Sequence, residues 1–456
     1  MLKTDGSPRR IMMISLHGYV SAEPEFGLPD TGGQVVYVLR LSESLARLGF
    51  TVDIYTRLFD GQPPIETIAD GVRIVRIPAG GDDLIRKEWM CDVVPEWVDN
   101  AASFIAARRL SYSLIDSHYW DAGLAGDALG RRLGVEHVHT PHSIGWWKRD
   151  NMDGDPADLE GEYNFARRIR DERAIYDRAS AIVATTPQQR DILLDAVYGV
   201  DPGKVAIIPP GFDDARFFPV SEATRDAIKR DLGVDGRLVL ALGRVAANKG
   251  YDLLLRSMPV VFGRVPDARL MLAIGSTTPT AGETRQVDEL KDLAAQLGIA
   301  DRVLFHDYVP DEQLADTYRA ADVFALSSRY EPFGMTAVEA MACGTPAVVT
   351  TGGGLWQMVT WGTEALYADP QDPDAFGHAI ATVMQYPSVA RQLAAHGSHR
   401  ARATFTWNGI AQQLMSRIHD VGETPPDPAP LPFRDRAHDD LPGHEAERGW
   451  IPVESW

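Results

Sequence analysis

Ala321-Asp322-Val323-Phe324-Ala325-Leu326, Glu331-Pro332-Phe333-Gly334-Met335-Thr336-Ala337-Val338-Glu339 and Cys343-Gly344-Thr345-Pro346-Ala347-Val348-Val349 follow one another as apolar strand, polar turn with a short helix, and apolar strand. That order is one turn of an α/β layer. It puts Glu331 on the loop and Glu339 on the helix, with the amides of Gly334 and Met335 between them. Amides at a helix start point outward, and the helix dipole favours an anion there. Carboxylates accept hydrogen bonds from sugar hydroxyls. Two carboxylates flanking a phosphate site therefore suit a nucleotide-sugar, with the sugar at one end and ribose at the other. A bare pair of distant glutamates would be a surface helix, but the Pro-Phe-Gly interior and the strand that follows argue otherwise.

Working outward, short β-rich runs alternate with amphipathic helical runs, the signature of parallel strands in α/β layers. Strands are predicted at Arg10–Ser15, Thr51–Thr56, Val72–Ile77, Leu114–Ser117, Glu136–His139, Ala181–Ala184 and Val205–Ile208, with a helix over Val35–Leu48. Pro209-Pro210-Gly211 and the polar stretch Asp213–Asp235 read as an interdomain connection. A second series runs through Leu238–Arg244, Arg269–Ile274, Val303–Phe305, Val323–Leu326 and Pro346–Val349. The expected fold is two doubly wound, Rossmann-like α/β units facing a cleft: residues 1–215, joined by a crossover helix within 405–421, and residues 216–404. Ligands bind at strand C-termini facing such a cleft. Residues 422–456, with seven prolines and eight acidic residues, read as an irregular acidic tail whose aromatic end docks on the chain's own surface.

Composition narrows the chemistry. The 456 residues carry a net charge of −19, which argues against nucleic-acid and anionic-membrane partners. No apolar run reaches the length of a membrane span. The only cysteines are Cys91 and Cys343, which excludes a disulfide framework and points to a reducing cytoplasm.

Cations on this acidic chain are therefore informative. Gly243-Arg244 ends a strand and Asn248-Lys249-Gly250 opens the next helix, so Arg244 and Lys249 can reach one diphosphate. Asp30-Thr31-Gly32-Gly33-Gln34 forms a glycine turn after the first strand, without the dinucleotide fingerprint G-x-G-x-x-G. Of 12 histidines, His142 in Thr140-Pro141-His142-Ser143 is expected to face the cleft, with His118 second. On the run Arg167-Arg168-Ile169-Arg170-Asp171-Glu172-Arg173, a solvated face with i,i+4 pairs accounts for at least two arginines. With Arg86-Lys87, the others could hold a phosphate on a second substrate. Asp153-Gly154-Asp155 and Asp372-Pro373-Asp374 read as turns rather than as a strand-end metal site.

Gly243-Arg244, Lys249 and Glu331 through Glu339 resemble the retaining nucleotide-sugar transferases of glycosyltransferase family 4, with the GT-B fold. His17-Gly18-Tyr19-Val20, Asp30 through Val38, Ser117-His118-Tyr119-Trp120-Asp121-Ala122-Gly123 and Thr140-Pro141-His142-Ser143 are similar to its sucrose-phosphate synthase branch. The resemblance covers residues 10 to 420. It implies that Arg244, Lys249, Gly334, Met335 and Thr336 hold the donor diphosphate, Glu331 the donor sugar and Glu339 the ribose. It places His142 near the transferred sugar, making His142, Glu331, Arg244 and Lys249 the catalytic set. Gly33, Gln34, Lys87, Tyr119, Arg168 and Arg170 would line the acceptor site, with Arg167 an alternative to its neighbour.

The implied reaction moves mannose from GDP-mannose to fructose 6-phosphate. The alternatives are glucose transfer from UDP-glucose to the same acceptor, and a non-catalytic nucleotide-sugar sensor. The implied route is front-face attack with retention, since no enzymic nucleophile is evident. No metal or other cofactor is required, a divalent cation acting at most as a stimulant. A sugar phosphatase acting on the product is the implied protein partner.

Overall fold

A computed structural model describes residues 9–18, 20–21, 33–59, 61–152, 154–276 and 279–421. Tyr19, the Asp30–Gly32 part of the glycine turn, Asp153 and the proline-rich tail lie outside the described residues. The first eight strands are β1 (Arg10–Ile14), β2 (Thr51–Arg57), β3 (Ile65–Ala69), β4 (Val72–Ile77), β5 (Leu114–His118), β6 (His137–Thr140), β7 (Ala181–Ala184) and β8 (Val205–Ile207). They form one sheet in the order β3-β4-β2-β1-β5-β6-β7-β8. All pairings are parallel except β3 with β4. The six that follow are β9 (Arg237–Gly243), β10 (Ala268–Ile274), β11 (Val303–His306), β12 (Val323–Leu326), β13 (Ala347–Thr350) and β14 (Leu366–Ala368). They form an all-parallel sheet in the order β11-β10-β9-β12-β13-β14.

Alternation along the strands explains the double winding. In β1, Ile11 and Met13 face the helix Gly33–Arg47, while Met12 and Ile14 face Trp97, Ala101 and Ile105 of the helix Val94–Ala107. Both faces are apolar because both are covered. In β9, Val239 and Ala241 enter one core, and Leu238 and Leu240 the other. Each sheet reverses its strand order once, between β1 and β5 and between β9 and β12. Such switch points leave a crevice outside the strand C-termini.

The chain crosses between the sheets twice at one place. Phe212 N–H donates to Phe405 O (2.7 Å), and Phe212 bridges Thr406 in parallel. A Cβ on Gly211 would lie 2.6 Å from the Trp407 ring, so only glycine lets the two passes lie together. The helix Trp407–Val421 then returns to the first sheet, burying Trp407, Ile410, Ala411, Leu414 and Met415 beside Val38 and Leu41.

Three sequence expectations change here. β3 and β14 are additional: β3 mixes polar and apolar residues on both faces and is nowhere fully buried, and β14 is only three residues long, so neither has a strong pattern. Residues 213–235 are more than a connection, because Phe217 joins Phe212 in the second core and Glu222–Asp231 is a helix. Asp155 and Asp372 are helix N-caps, accepting from Ala157 N–H and Ala375 N–H. Cys91 and Cys343 are buried free thiols.

Candidate active site

At the second switch point, the loops after β9 and β12 are joined. Arg329 N–H donates to Asn248 O (2.8 Å), Asn248 Nδ2 to Tyr330 O (2.9 Å), and Ser327 Oγ to Lys249 O (2.9 Å). Gly250 adopts φ 63°, and a Cβ there would sit 2.1 Å from Ser327 O, so a side chain would push the loops apart. This junction brings Lys249 onto Glu331, and the two side chains form an ion pair. Ser328 Oγ also reaches Glu331 (3.4 Å). Arg244 is exposed and makes no ion pair among the described residues. Gly334, at φ 111°, starts the helix Met335–Ala342, and its missing side chain leaves room for Leu326. The amides of Gly334, Met335 and Thr336 thus open the helix next to the Lys249–Glu331 pair.

Glu339 lies farther along that helix, half-buried, accepting from Tyr318 Oη (2.8 Å). Burial pushes its carboxyl up to about 7, partly offset by that hydrogen bond and by Arg216. The segment Gly352–Gly354 crosses behind Glu331, whose N–H donates to Gly352 O (3.2 Å).

The first switch point is built from side chains. Gln34 Nε2 donates to Ser15 Oγ (3.2 Å) and His118 O (3.3 Å), tying the helix behind Gly33 to the ends of β1 and β5. His17 Nδ1 lies 2.8 Å from Asp121 Oδ2, and its ring stands edge-on to Tyr119. Tyr119 has φ 76° and His142 φ 57°, both in the left-handed region. Two such non-glycine residues in one site mark stored strain that the surroundings must hold. His118 Nδ1 lies 3.0 Å from His142 Nε2. Burial holds the His142 imidazolium form well below its ordinary range, with His118, His139 and His17 adding to the effect. His142 is therefore neutral at physiological pH.

Arg168 carries this arrangement. It is 2% exposed, donating to Tyr119 Oη (2.8 Å), Ser143 O (2.6 Å) and Glu172 Oε1 (2.7 Å). Glu172 in turn accepts from Gly145 N–H (3.0 Å) and from Tyr198 Oη. The basic helix therefore divides. Arg167 pairs with Asp92, and Arg170, with a side chain 70% exposed, pairs among the described residues with neighbouring Asp171 alone. Arg168 instead spans the His142–Ser143 turn, and all three of its nitrogens have partners within the protein. Lys87 is half-buried on the loop before Met90–Asp92.

The halves touch beside these groups. Trp147 meets Tyr330, neighbour of Glu331, with ring centroids 4.7 Å apart. A Cβ on Gly354 would come within 2.1 Å of Thr186 Cγ2, so the second unit's glycine segment is seated against the first.

Glu172, Asp121 and Asp116 are the site residues that the sequence reading does not single out. The Arg168–Glu172 spacing was legible, but i,i+4 pairs on a charged helix are ordinarily solvated. Gly123 and Gly126 were the available signal for this crowded interior. Their helix packs so closely on β6 that a Cβ would lie 2.7 Å from His139 and 2.5 Å from His137. Among the described residues, no group of three or more His, Cys, Asp or Glu could hold a metal ion, and no helix is long and apolar enough to cross a membrane.

Two sheets with facing switch points, one cationic and one histidine-rich, are the framework of a two-domain glycosyl-transfer site. Residues 224–400 match the glycosyl transferases group 1 family, residues 32–211 the glycosyl transferase 4-like domain, and residues 8–55 the first GT-B domain of sucrose synthase. The chain is 50% identical over 413 residues to mannosylfructose-phosphate synthase of Agrobacterium fabrum, covering 90% of this chain and 91% of that protein. It is 34% identical over 414 residues to D-inositol 3-phosphate glycosyltransferase of Xylanimonas cellulosilytica, covering 89% and 95%. Sucrose-phosphate synthase from Thermosynechococcus elongatus shares the fold with TM-score 0.78 at 30% identity, covering 91% of this chain and 99% of that one. The chain belongs to the group 1, family 4 retaining glycosyltransferases and has the GT-B fold. Its donor is a nucleotide-sugar and its acceptor a sugar.

Proposed function

We propose that this protein transfers mannose from GDP-mannose to fructose 6-phosphate, giving mannosylfructose 6-phosphate with retained anomeric configuration. The observation that carries this reading is the 50% identity to mannosylfructose-phosphate synthase over nearly the whole of both chains. Arg244, Lys249 and the amides of Gly334, Met335 and Thr336 take the donor diphosphate. Glu331 holds hydroxyls of the mannose and Glu339 the ribose. Lys249 and Glu331 already pair, so the donor inserts its phosphate and sugar on either side of an existing contact. His142, neutral, faces the transferred sugar. Gly33, Gln34, Tyr119 and Lys87 line the acceptor side with Arg168 and Arg170; the exposed Arg170 is the arginine open to an acceptor phosphate.

The reaction needs the departing diphosphate stabilised while an oxocarbenium-like sugar forms. Fixed positive charge and helix-start amides at the developing charge supply this. The acceptor hydroxyl enters on the face the diphosphate leaves, and the leaving phosphate takes its proton. In this reading no metal is required, and a divalent cation would only stimulate. The product's phosphate suits a sugar phosphatase acting next, and a reducing cytoplasm suits the two free thiols.

A second reading, UDP-glucose as donor, is favoured by the likeness to sucrose-phosphate synthase. Thermal melts with GDP-mannose, UDP-glucose, GDP and UDP separate the two. A ligand at 100 times its dissociation constant stabilises by about 2.7 kcal/mol. GDP-mannose and GDP are expected to raise the melting temperature and the uridine ligands to leave it unchanged; the reverse pattern selects UDP-glucose. Release of nucleoside diphosphate only when fructose 6-phosphate is present distinguishes the enzyme from a sensor.

A further inference from the structure

Beneath His142 lies a buried line of two side chains that the reaction scheme does not use. Asp116 and His118, on β5, are both 0% exposed. His118 Nδ1 lies 3.0 Å from His142 Nε2, and His118 Nε2 lies 3.5 Å from Asp116 Oδ2. Among the described residues, neither Asp116 oxygen nor His118 Nε2 has a hydrogen-bond partner. Three unpartnered polar atoms thus meet at one buried spot. Tyr37 closes it from the side, its ring edge-on to His142 at 4.8 Å and tilted to His118 at 5.5 Å.

These contacts restrict where the ring protons sit. Between two neutral imidazoles 3.0 Å apart, one nitrogen donates and the other accepts. An ionised carboxylate only accepts, and the nitrogen facing Asp116 is His118 Nε2, so that nitrogen carries the proton. At 3.5 Å this approach is longer than a formed hydrogen bond, yet a proton on Nε2 faces the carboxylate where a lone pair would be repelled by it. His118 Nδ1 is then a lone pair, and His142 Nε2 must donate to it.

We propose that His118 is a positioning residue whose contact with Asp116 fixes His142 as its Nε2–H tautomer, leaving Nδ1 as the lone-pair nitrogen. A lone pair at Nδ1 accepts a hydrogen bond from a sugar hydroxyl; an N–H there would not. The device selects a sugar that donates to His142, and so deepens the transferase reading on which it rests. The left-handed backbone at His142 is the one that carries this ring, with Nε2 3.0 Å from His118.

The tautomer is read directly from two-bond nitrogen–proton spectra of the full-length protein labelled with nitrogen-15 histidine, without substrate. His142 and His118 are both expected as Nε2–H forms; a His142 protonated at Nδ1, or a doubly protonated His118, overturns the proposal whatever the reaction is. Activity supplies the second arm. His118→Leu removes the acceptor, and kcat is expected to fall about tenfold with KM for the acceptor unchanged. His118→Asn restores a carbonyl acceptor near the Nδ1 position and is expected to recover most of that loss. Equal losses in the two variants, or none in His118→Leu, overturn it as well. If the spectra agree but no donor is turned over by the wild type, the transferase reading fails and the tautomer assignment stands.

Discussion

The two switch points solve the same problem with opposite materials. In the first unit, the site is a side-chain network: Arg168, Glu172, Tyr119, His118 and His142 are buried or half-buried and hold one another through hydrogen bonds. In the second unit, glycines at Gly250, Gly334 and Gly352–Gly354 set the backbone, and the charge is held nearer the surface on Arg244, Lys249 and Glu331. A buried network must be complete to be stable, because each unpaired member carries a desolvation penalty. An exposed charge loses little when unpaired and can wait for its ligand. Damage to the first site should therefore appear as lost stability, and damage to the second as lost turnover.

Arg168→Ala should give the largest effect. It leaves Glu172 a buried carboxylate with only neutral donors, a loss on the order of 3–5 kcal/mol. Urea unfolding measures it, and a loss below about 1 kcal/mol would erase the contrast between the sites. Arg244→Ala comes next, with turnover down by about 100-fold, the scale of a lost preorganised donor at a developing charge. Its folding should match wild type within about 0.5 kcal/mol, as for other exposed positions; near-normal turnover would remove Arg244 from the diphosphate site. Free fructose, lacking the group that Lys87 and Arg170 are assigned to hold, should be a poorer acceptor than fructose 6-phosphate by about 100-fold. Equal rates with both would leave those cations without a role.

The smallest effect sharpens the comparison through pH. Glu339 has its carboxyl raised from 4.5 to about 7 in the folded protein. Between those values the folded state keeps a proton that the unfolded chain has released. Stability from this group is thus full below about pH 4.5 and falls as pH rises through 7. Denaturant melts of the ligand-free protein at pH 5 and pH 7.5 should show that fall in wild type and a shallower one in Glu339→Gln. Identical slopes would mean that the carboxyl titrates normally. Donor binding that weakens on the acid side of 7 would tie the ionised form to the ribose.

The second site was legible in sequence because its determinants are local. A strand, a glycine and a cation recur within a few residues, and the backbone conformation is dictated by glycines that stand in the motif itself. Gly243-Arg244, Asn248-Lys249-Gly250 and Glu331–Glu339 all come out at strand ends on the β9/β12 junction. The first site was legible only in part. His142 and His118 stood out by their place after predicted strands, and both lie at the switch point. Asp116 and Glu172 did not, because whether a carboxylate on a strand or a charged helix points inward depends on packing between distant elements. Arg168 shows the same limit: its spacing to Glu172 is identical to that of a solvated pair, and the close fit of Gly145, Tyr119 and Tyr198 around it is what buries the pair.

The paired crossing at Phe212 and Phe405 has a consequence for the order in which the chain is made. The second unit is one unbroken run and is complete once Phe405, just past the helix Pro387–Thr404, has been made. The first unit is emitted earlier but lacks the helix Trp407–Val421, whose side chains cover Val38 and Leu41. Domains made first ordinarily fold first. Here the earlier unit must keep an apolar face open until the later one has been synthesised and carried its last helix back, so the half of the protein that is translated second is the half able to finish first.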